Sequence, residues 1–202
     1  MRSTSPVILL VLLAAALVSA DRRRPFYVIG HMVNSLRSLD VFIADGANAI
    51  ESDVTFNPDG SIWGLHHGVP CDFARYCHES VDFRQFLEAA APRNLALFFV
   101  DLKVRALHQA GLVNAGRQVA KHIVEHFWNR GASNTSVLVS VPRTSHAALL
   151  EAFLDEIRKR APHQEKKVTF EVSENPNFQD LSNMLRGLNI TATWLGDGIT
   201  NW

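Results

Sequence analysis

The sequence predicts an α/β fold in which a parallel sheet is covered by helices. Three observations favour this class. Short apolar segments alternate with longer amphipathic ones, which is the order of repeated strand and helix units. Residues 95–100 are apolar without alternation, which is typical of a strand that is buried on both faces. Polar side chains collect where the predicted strands end, and such ends converge on one mouth in a barrel of strands and helices.

The apolar spacing predicts the following elements in order. Strands are expected at residues 26–30, 49–55, 62–67, 95–102, 137–141, 168–172 and 193–195. Helices are expected at residues 33–45, 81–90, 107–128, 145–160 and 178–186. The sequence Asn-Pro-Asp-Gly at residues 57–60 is a strong turn signal, so residues 49–67 are predicted to include a hairpin.

The first 20 residues have the pattern of a secretory signal peptide. Arg2 precedes an apolar stretch at residues 7–18, and small residues at 18–20 provide a cleavage site. The stretch is short for a membrane span, although an N-terminal anchor helix is the alternative. We therefore expect a secreted chain with one domain at residues 21–202 and no transmembrane segment in its mature form.

The charge balance and the cysteine content further narrow the range of possible functions. The chain has 20 basic and 20 acidic residues, which argues against nucleic acid as its main partner. Cys71 and Cys77 are the two cysteines, and in a secreted protein they are expected to pair and close a short loop. Two metal-binding thiols are the alternative, but no further cysteine completes such a site.

Three carboxylates form the first candidate site. In an extended chain Glu51 and Asp53 point to the same side, where their negative charges repel each other. Asp101 ends the most apolar strand, so all three could share one hard divalent cation such as Mg²⁺. The alternative is that Glu51 or Asp53 pairs with Lys103 or an arginine, as buried carboxylates commonly do.

Lys103 and two histidines complete the candidate site. Lys103 shares a face with Asp101, where it could bind a phosphate oxygen or simply neutralise the carboxylates. His31 and His67 each follow a predicted strand, and imidazole can act as acid, base or nucleophile near neutral pH. A structural role for either histidine is the alternative.

Residues 122–126, His-Ile-Val-Glu-His, match a zinc-protease pattern. His122 and His126 lie one helical turn apart, but the apolar neighbours make this the expected packing face of a long helix. We therefore interpret the match as coincidental.

Taken together, these segments resemble the sphingomyelinase D/phospholipase D toxins of spider venom and tick saliva, relatives of the glycerophosphodiester phosphodiesterases. The resemblance runs in order along nearly all of residues 21–202, in the stretches GHMVNSL, GANAIESDVTF, HHGVPCDFARYC, FFVDLK, VLVSVP and WLGDGITN. It implies a distorted (β/α)₈ barrel, of which about six strands are present here. Two further strand and helix units of the family would follow residue 202, so we expect a C-terminally truncated chain.

The resemblance also implies roles for individual residues. It assigns Mg²⁺ to Glu51, Asp53 and Asp101, catalysis to His31 and His67, and phosphate binding to Lys103. It places Asp72 behind the catalytic histidine and pairs Cys71 with Cys77; these assignments complete the implied site.

The implied reaction releases choline from sphingomyelin or lysophospholipids at a membrane surface, with a cyclic phosphate lipid as one product. The alternatives are a glycerophosphodiesterase that acts on small diesters and a secreted binding protein without catalytic activity.

Overall fold

The computed structural model describes residues 26–67, 79–174 and 176–190. In this part of the chain the strands are β1 (Ile29–Gly30), β2 (Ala49–Phe56), β3 (Ile62–Leu65), β4 (Leu97–Lys103), β5 (Ser136–Val141) and β6 (Val168–Val172). The helices are α1 (Leu36–Ala44), α2 (Phe83–Ala90), α3 (Gln109–His122), α4 (Ala147–Arg160) and α5 (Phe178–Gly187).

The strands form one six-stranded sheet in the order β1-β2-β4-β5-β6, and all of these neighbours are parallel. Strand β3 pairs with β2 in the antiparallel direction, which confirms the predicted hairpin. This topology confirms the predicted α/β class with a parallel sheet. It is consistent with a distorted TIM-barrel-like fold in which the described strands do not close into a full barrel.

The two faces of the sheet have different surroundings. One face carries apolar side chains such as Ile50, Phe98 and Val139, which pack with residues of all five described helices in the main core. The other face has a small apolar cluster of Ala49, Leu97 and Leu138 near the start of the strands. Polar side chains follow this cluster towards the carboxyl ends of the strands, so the candidate site lies on the face opposite the one that packs against the described helices.

Several element ends differ from the predicted ones for local reasons. Strand β1 is only two residues long because the Val28 N–H donates to the Asn48 side chain, at 2.8 Å, rather than to a strand backbone. Helix α1 begins later than predicted because Ser35 and Ser38 form a capping box at its start. The predicted helix at residues 107–128 is α3 followed by a π-helical segment, Ile123–Phe127, and a 3₁₀ turn.

Four predictions lie outside the described residues: the signal peptide at 1–20, the Cys71–Cys77 pair, the position of Asp72 and the strand at 193–195. No described helix has the length and apolar character that are needed to cross a membrane.

Candidate functional site

The segments that carry the two predicted catalytic histidines approach the same edge of β2 from opposite directions. Strand β4 pairs with β2 along one edge, from residue 49 to residue 55. Strand β1 occupies the start of the other edge, at Ala49 and Ile50, and β3 occupies its end, from Val54 to Phe56. The gap between β1 and β3 therefore falls at residues 51–53, where Glu51 and Asp53 lie.

The loop that follows β1 fills one side of this gap. Met32 donates its backbone N–H to Glu51 Oε2 at 2.6 Å, and Val33 donates to the Glu51 carbonyl oxygen at 2.8 Å. Met32 has a φ of 57°, a left-handed conformation that is uncommon for a residue other than glycine. This conformation accompanies a tight turn in which the loop backbone binds the carboxylate.

Asn34 and Ser52 fix the same loop more deeply. The Asn34 amide donates to Asp53 Oδ2 at 2.6 Å, and its Oδ1 accepts the Asp53 backbone N–H at 2.8 Å. The Ser52 hydroxyl donates to the Val33 carbonyl oxygen at 2.7 Å. Because Asn34, Ser52 and Asp53 are all buried, these bonds hold Asp53 in one orientation.

The three predicted metal-binding carboxylates come together in the structure. Asp53 on β2 lies opposite Asp101 on β4 in the parallel register, and Glu51 lies two residues earlier on the same face of β2. One oxygen from each carboxylate lies within 4.8 Å of the others. Glu51 and Asp53 are nearly fully buried, at 4% and 1% exposure.

Lys103 pairs with two of these carboxylates. Its Nζ lies 2.7 Å from Asp53 Oδ1 and 2.5 Å from Asp101 Oδ2. Burial lowers the pKa of Lys103, but the negative charges of Asp101 and Asp53 outweigh that effect and raise it overall. The alternative considered from the sequence, a pairing of Asp53 with Lys103, is therefore present. It occurs within the carboxylate cluster and does not replace it.

Glu51 remains the poorly compensated member of the cluster. Burial raises the pKa of its carboxyl group well above the usual value, and the charge of Asp53 raises it further. The Met32 N–H opposes this shift without cancelling it. A buried carboxylate beside two others fits a site for a hard divalent cation, because the cation would compensate the negative charge that Lys103 does not neutralise.

The structure places both histidines at the gap in the β2 edge. His31 Nε2 lies 3.7 Å from Glu51 Oε2, and the His31 side chain is about half exposed. His66 donates its backbone N–H to the Asp53 carbonyl oxygen at 3.0 Å, so His67 follows directly at the same edge. The His66 ring makes an edge-on contact with Trp63 instead. The catalytic roles of His31 and His67 stay predictions.

The sequence reasoning missed two polar residues on the same face, Ser140 and Glu171. The register aligns Asp101 with Ser140 on β5 and Ser140 with Glu171 on β6. Burial raises the pKa of Glu171, the charge of Asp101 adds to the rise, and the nearby Ser140 hydroxyl partly opposes it. An acidic residue that alternates with Val168, Phe170 and Val172 was the signal in the sequence that could have identified this position.

The zinc-protease pattern lies in packed structure, as predicted. Ile123, Val124 and Phe127 are buried in the main core. His126 Nδ1 lies 3.1 Å from Glu88 Oε1, and the His122 ring packs on Phe83 with a centroid separation of 5.8 Å. Among the described residues, the carboxylates of the β2–β4 cluster are the group of three whose donor atoms converge for a metal.

Fold and site together define an α/β protein with a parallel sheet and a centre of three carboxylates and one lysine that can hold a hard metal ion. The family model described as "Dermonecrotic toxin SPH" matches residues 21–202. The chain therefore belongs to the SPH dermonecrotic toxin family.

Curated relatives support this membership. Dermonecrotic toxin LiSicTox-alphaIA1bi of Loxosceles intermedia is 34% identical over 196 residues, which cover 90% of this chain and 64% of the relative. Dermonecrotic toxin LgSicTox-alphaIC1 of Loxosceles gaucho is 34% identical over 197 residues, which cover 90% of this chain and 70% of the relative. The chain thus spans about two thirds of the length of the relatives that it matches.

Proposed function

We propose that this chain is a secreted, Mg²⁺-dependent phospholipase D-like enzyme that releases choline from sphingomyelin or lysophospholipids. One observation carries the proposal: the segments bearing His31 and His67 reach the β2 edge at Glu51 and Asp53, beside Asp101 and Lys103. Membership of a toxin family supports a secreted protein, and the donor set of three carboxylates supports a hard cation.

The proposed metal ligands are Glu51, Asp53 and Asp101. When bound there, Mg²⁺ supplies positive charge that stabilises the phosphoryl oxygens as the phosphodiester reacts. Lys103 adds a second cation on the same side, because its ammonium group is already held between Asp53 and Asp101. A preorganised cation of this kind stabilises developing negative charge without reorganising during the reaction.

The two histidines divide the proton transfers in this proposal. His67 acts as nucleophile, or as the base that takes a proton from the attacking hydroxyl, while His31 protonates the departing choline oxygen. When the substrate's own hydroxyl attacks, a new P–O bond forms, the P–O bond to choline breaks, and the product is a cyclic phosphate lipid. By family resemblance, Asp72 supports the catalytic histidine and the Cys71–Cys77 disulfide braces the loop.

Choline release by the purified secreted chain tests the proposal directly. Sphingomyelin and lysophosphatidylcholine are supplied with Mg²⁺ or with a chelator, and the phosphate products are identified by mass spectrometry. We expect release that requires Mg²⁺. Hydrolysis of glycerophosphocholine without action on either lipid would instead favour a glycerophosphodiesterase, and lipid binding without turnover would favour a binding protein.

A further inference from the structure

Two short segments of the chain match the acceptor pattern for an N-linked glycan, which is Asn-x-Ser or Asn-x-Thr with x other than proline. They begin at Asn134 and Asn189, in the sequences Asn-Thr-Ser and Asn-Ile-Thr. The pattern alone is weak evidence, because a match of three residues also arises by chance. All three residues of the first segment belong to the described part of the chain, whereas Thr191 of the second lies outside it.

Asn134 is an exposed residue between two anchored neighbours. On its amino-terminal side, the Ser133 carbonyl oxygen accepts a hydrogen bond from the Gln164 side-chain amide at 3.2 Å. On its carboxyl-terminal side, the Thr135 hydroxyl donates to the Leu95 carbonyl oxygen at 2.7 Å, and Thr135 is only 2% exposed. The backbone on both sides is therefore held in place while Asn134 remains open to solvent.

The Asn134 amide does not stabilise the turn in which it lies. Asparagine is common in turns because its side chain can bond to nearby backbone groups, as the amides of Asn34 and Asn114 do here. Among the described residues, however, the Asn134 amide forms no hydrogen bond. The Thr135 N–H closes the turn instead, by donating to the Ala132 carbonyl oxygen at 2.8 Å. A group attached to Asn134 would therefore replace no contact of the fold.

Asn134 lies at the end of the sheet that is opposite the candidate site. Ser136, the last residue of the pattern, begins β5 and pairs with Leu97 at the start of β4. Asp101 pairs with Ser140, four residues later on β5, so roughly 13 Å of strand separates this end from the carboxylates. A bulky group at Asn134 would leave the carboxyl ends of the strands clear.

We infer that Asn134 carries an N-linked glycan in the secreted protein. The inference rests on the secretion that is part of the proposed function, because the sugar is transferred inside the secretory pathway. A bond forms between the Asn134 side-chain nitrogen and the anomeric carbon of a lipid-linked oligosaccharide. The nitrogen loses one proton, and the bond from that carbon to the pyrophosphate of the lipid carrier breaks. The bulky, hydrated sugar keeps this end of the protein in water while the opposite end is free to approach a lipid surface.

Mass spectrometry of the full chain, expressed in animal cells and collected from both the medium and the cells, tests this inference. A glycosidase that releases N-glycans converts the modified asparagine to aspartate, and heavy-oxygen water labels the new carboxyl group. We expect the peptide that contains Asn134 to carry the label and the intact chain to lose mass on treatment. The peptide that contains Asn189 is measured separately. A secreted chain whose Asn134 peptide is unlabelled would overturn the inference.

Two substitutions at Ser136 separate the acceptor pattern from the fold. Ser136→Ala removes the hydroxyl that the pattern requires and should abolish the glycan at Asn134, whereas Ser136→Thr should retain it. Both change the same half-buried position at the start of β5. Asn129→Gln is the matched control, because Asn129 is an exposed asparagine nearby that lies outside the pattern. It should leave the glycan in place, and a glycan at Asn134 that persists in Ser136→Ala would contradict the assignment.

Choline release by the same samples separates failure of the glycan from failure of the proposed function. A chain in the medium that is glycosylated at Asn134 but releases no choline would contradict only the proposed activity. Choline release by a chain with unmodified Asn134 would overturn only the glycan. An unmodified chain that stays inside the cells would contradict both the proposed secretion and the glycan.

Discussion

Asn34 and Asp53 are joined by both ends of the Asn34 side-chain amide. Its Nδ2 donates to Asp53 Oδ2 at 2.6 Å, and its Oδ1 accepts the Asp53 backbone N–H at 2.8 Å. Both residues are buried, so solvent does not compete for these bonds. The loop after β1 therefore sets the orientation of a carboxylate on β2 before any metal binds, and this orientation leaves Asp53 Oδ1 next to Lys103.

Replacing this amide should weaken the metal site more than the fold. Asn34→Ala removes the bonds that orient Asp53, and loss of such a supporting partner typically lowers metal affinity by about 10–100-fold. Titration calorimetry with Mg²⁺ measures the change. Asn114→Ala is the control, because the Asn114 amide donates to a backbone carbonyl on the exposed hairpin turn. Equal Mg²⁺ affinity in the two variants would contradict this role.

Because Lys103 pairs with two carboxylates, we expect its replacement to affect the stability and the activity of the protein differently. Lys103→Met leaves Asp53 and Asp101 without their cation, so the metal-free protein should lose about 1–3 kcal/mol of unfolding free energy. Saturating Mg²⁺ should restore most of that stability, because it supplies positive charge at the same carboxylates.

Choline release by Lys103→Met should nevertheless remain about 100-fold low, as is typical when a group that stabilises transition-state charge is removed. Chemical denaturation with and without Mg²⁺, together with initial rates, measures both effects. Lys121→Met, at an exposed position on α3, is the control. Full activity of Lys103→Met in Mg²⁺ would show that the lysine only neutralises the carboxylates.

At Glu51 we expect the requirements of metal binding to conflict with the stability of the metal-free protein. Glu51→Gln keeps an oxygen that accepts the Met32 N–H but removes the buried charge beside Asp53. In a chelator at neutral pH, the variant should therefore unfold at a higher temperature than the unchanged chain. Calorimetric scans measure the midpoint. The same variant should bind Mg²⁺ poorly, and a lower midpoint without metal would contradict the account.

The pH dependence of this difference follows from the raised pKa of Glu51. Above the usual carboxyl pKa of 4.5, folded Glu51 retains a proton that the unfolded chain has released. The folded state then binds more protons, so the free energy of unfolding falls as pH rises from about that value. Because Glu51→Gln lacks this group, its stability advantage should grow with pH and shrink when Mg²⁺ is added to the unchanged chain.

For His122 we expect the opposite pH dependence of the free energy of unfolding, at mildly acidic pH. Burial lowers its pKa, and the charge of His126 lowers it further, so the unfolded chain protonates His122 first as pH falls below the usual 6.5. The free energy of unfolding should therefore decrease as pH falls through that value. His122→Phe, which keeps an aromatic ring on Phe83, should lose this part of the decrease.

Denaturation at pH 7.5 and at pH 5.5 measures the effect, with His163→Gln as an exposed-histidine control. An identical change with pH in His122→Phe and the unchanged chain would contradict the packing role. Stabilisation of the unchanged chain by Zn²⁺ that His122→Phe abolishes would instead support the zinc interpretation of residues 122–126.

Local chemistry explains which parts of the fold could be predicted. The hairpin followed from the turn sequence at residues 57–60, and the class followed from the alternating segments and the apolar run in β4. The π-helical continuation of α3 could not be predicted, because the apolar spacing of residues 123–128 also fits a regular helix. The start of α1 depends on the Ser35 and Ser38 side chains rather than on apolar spacing.

The same contrast holds for the candidate site. Glu51, Asp53, Asp101 and Lys103 could be predicted because the period of a strand places alternating residues on one face. Asn34 could not, since its role depends on contacts with a strand that lies 19 residues later in the chain. The left-handed backbone of Met32 is equally non-local, because the loop is held in place by β2.

The most direct test of the central claim compares choline release by His67→Ala and His66→Ala in saturating Mg²⁺. The two histidines are neighbours, but the His66 ring packs against Trp63 and only His67 is proposed to react. We predict that His67→Ala loses at least about 1,000-fold in rate, while His66→Ala stays within about tenfold of the unchanged chain. Unchanged choline release by His67→Ala, or a greater loss in His66→Ala, would contradict the account.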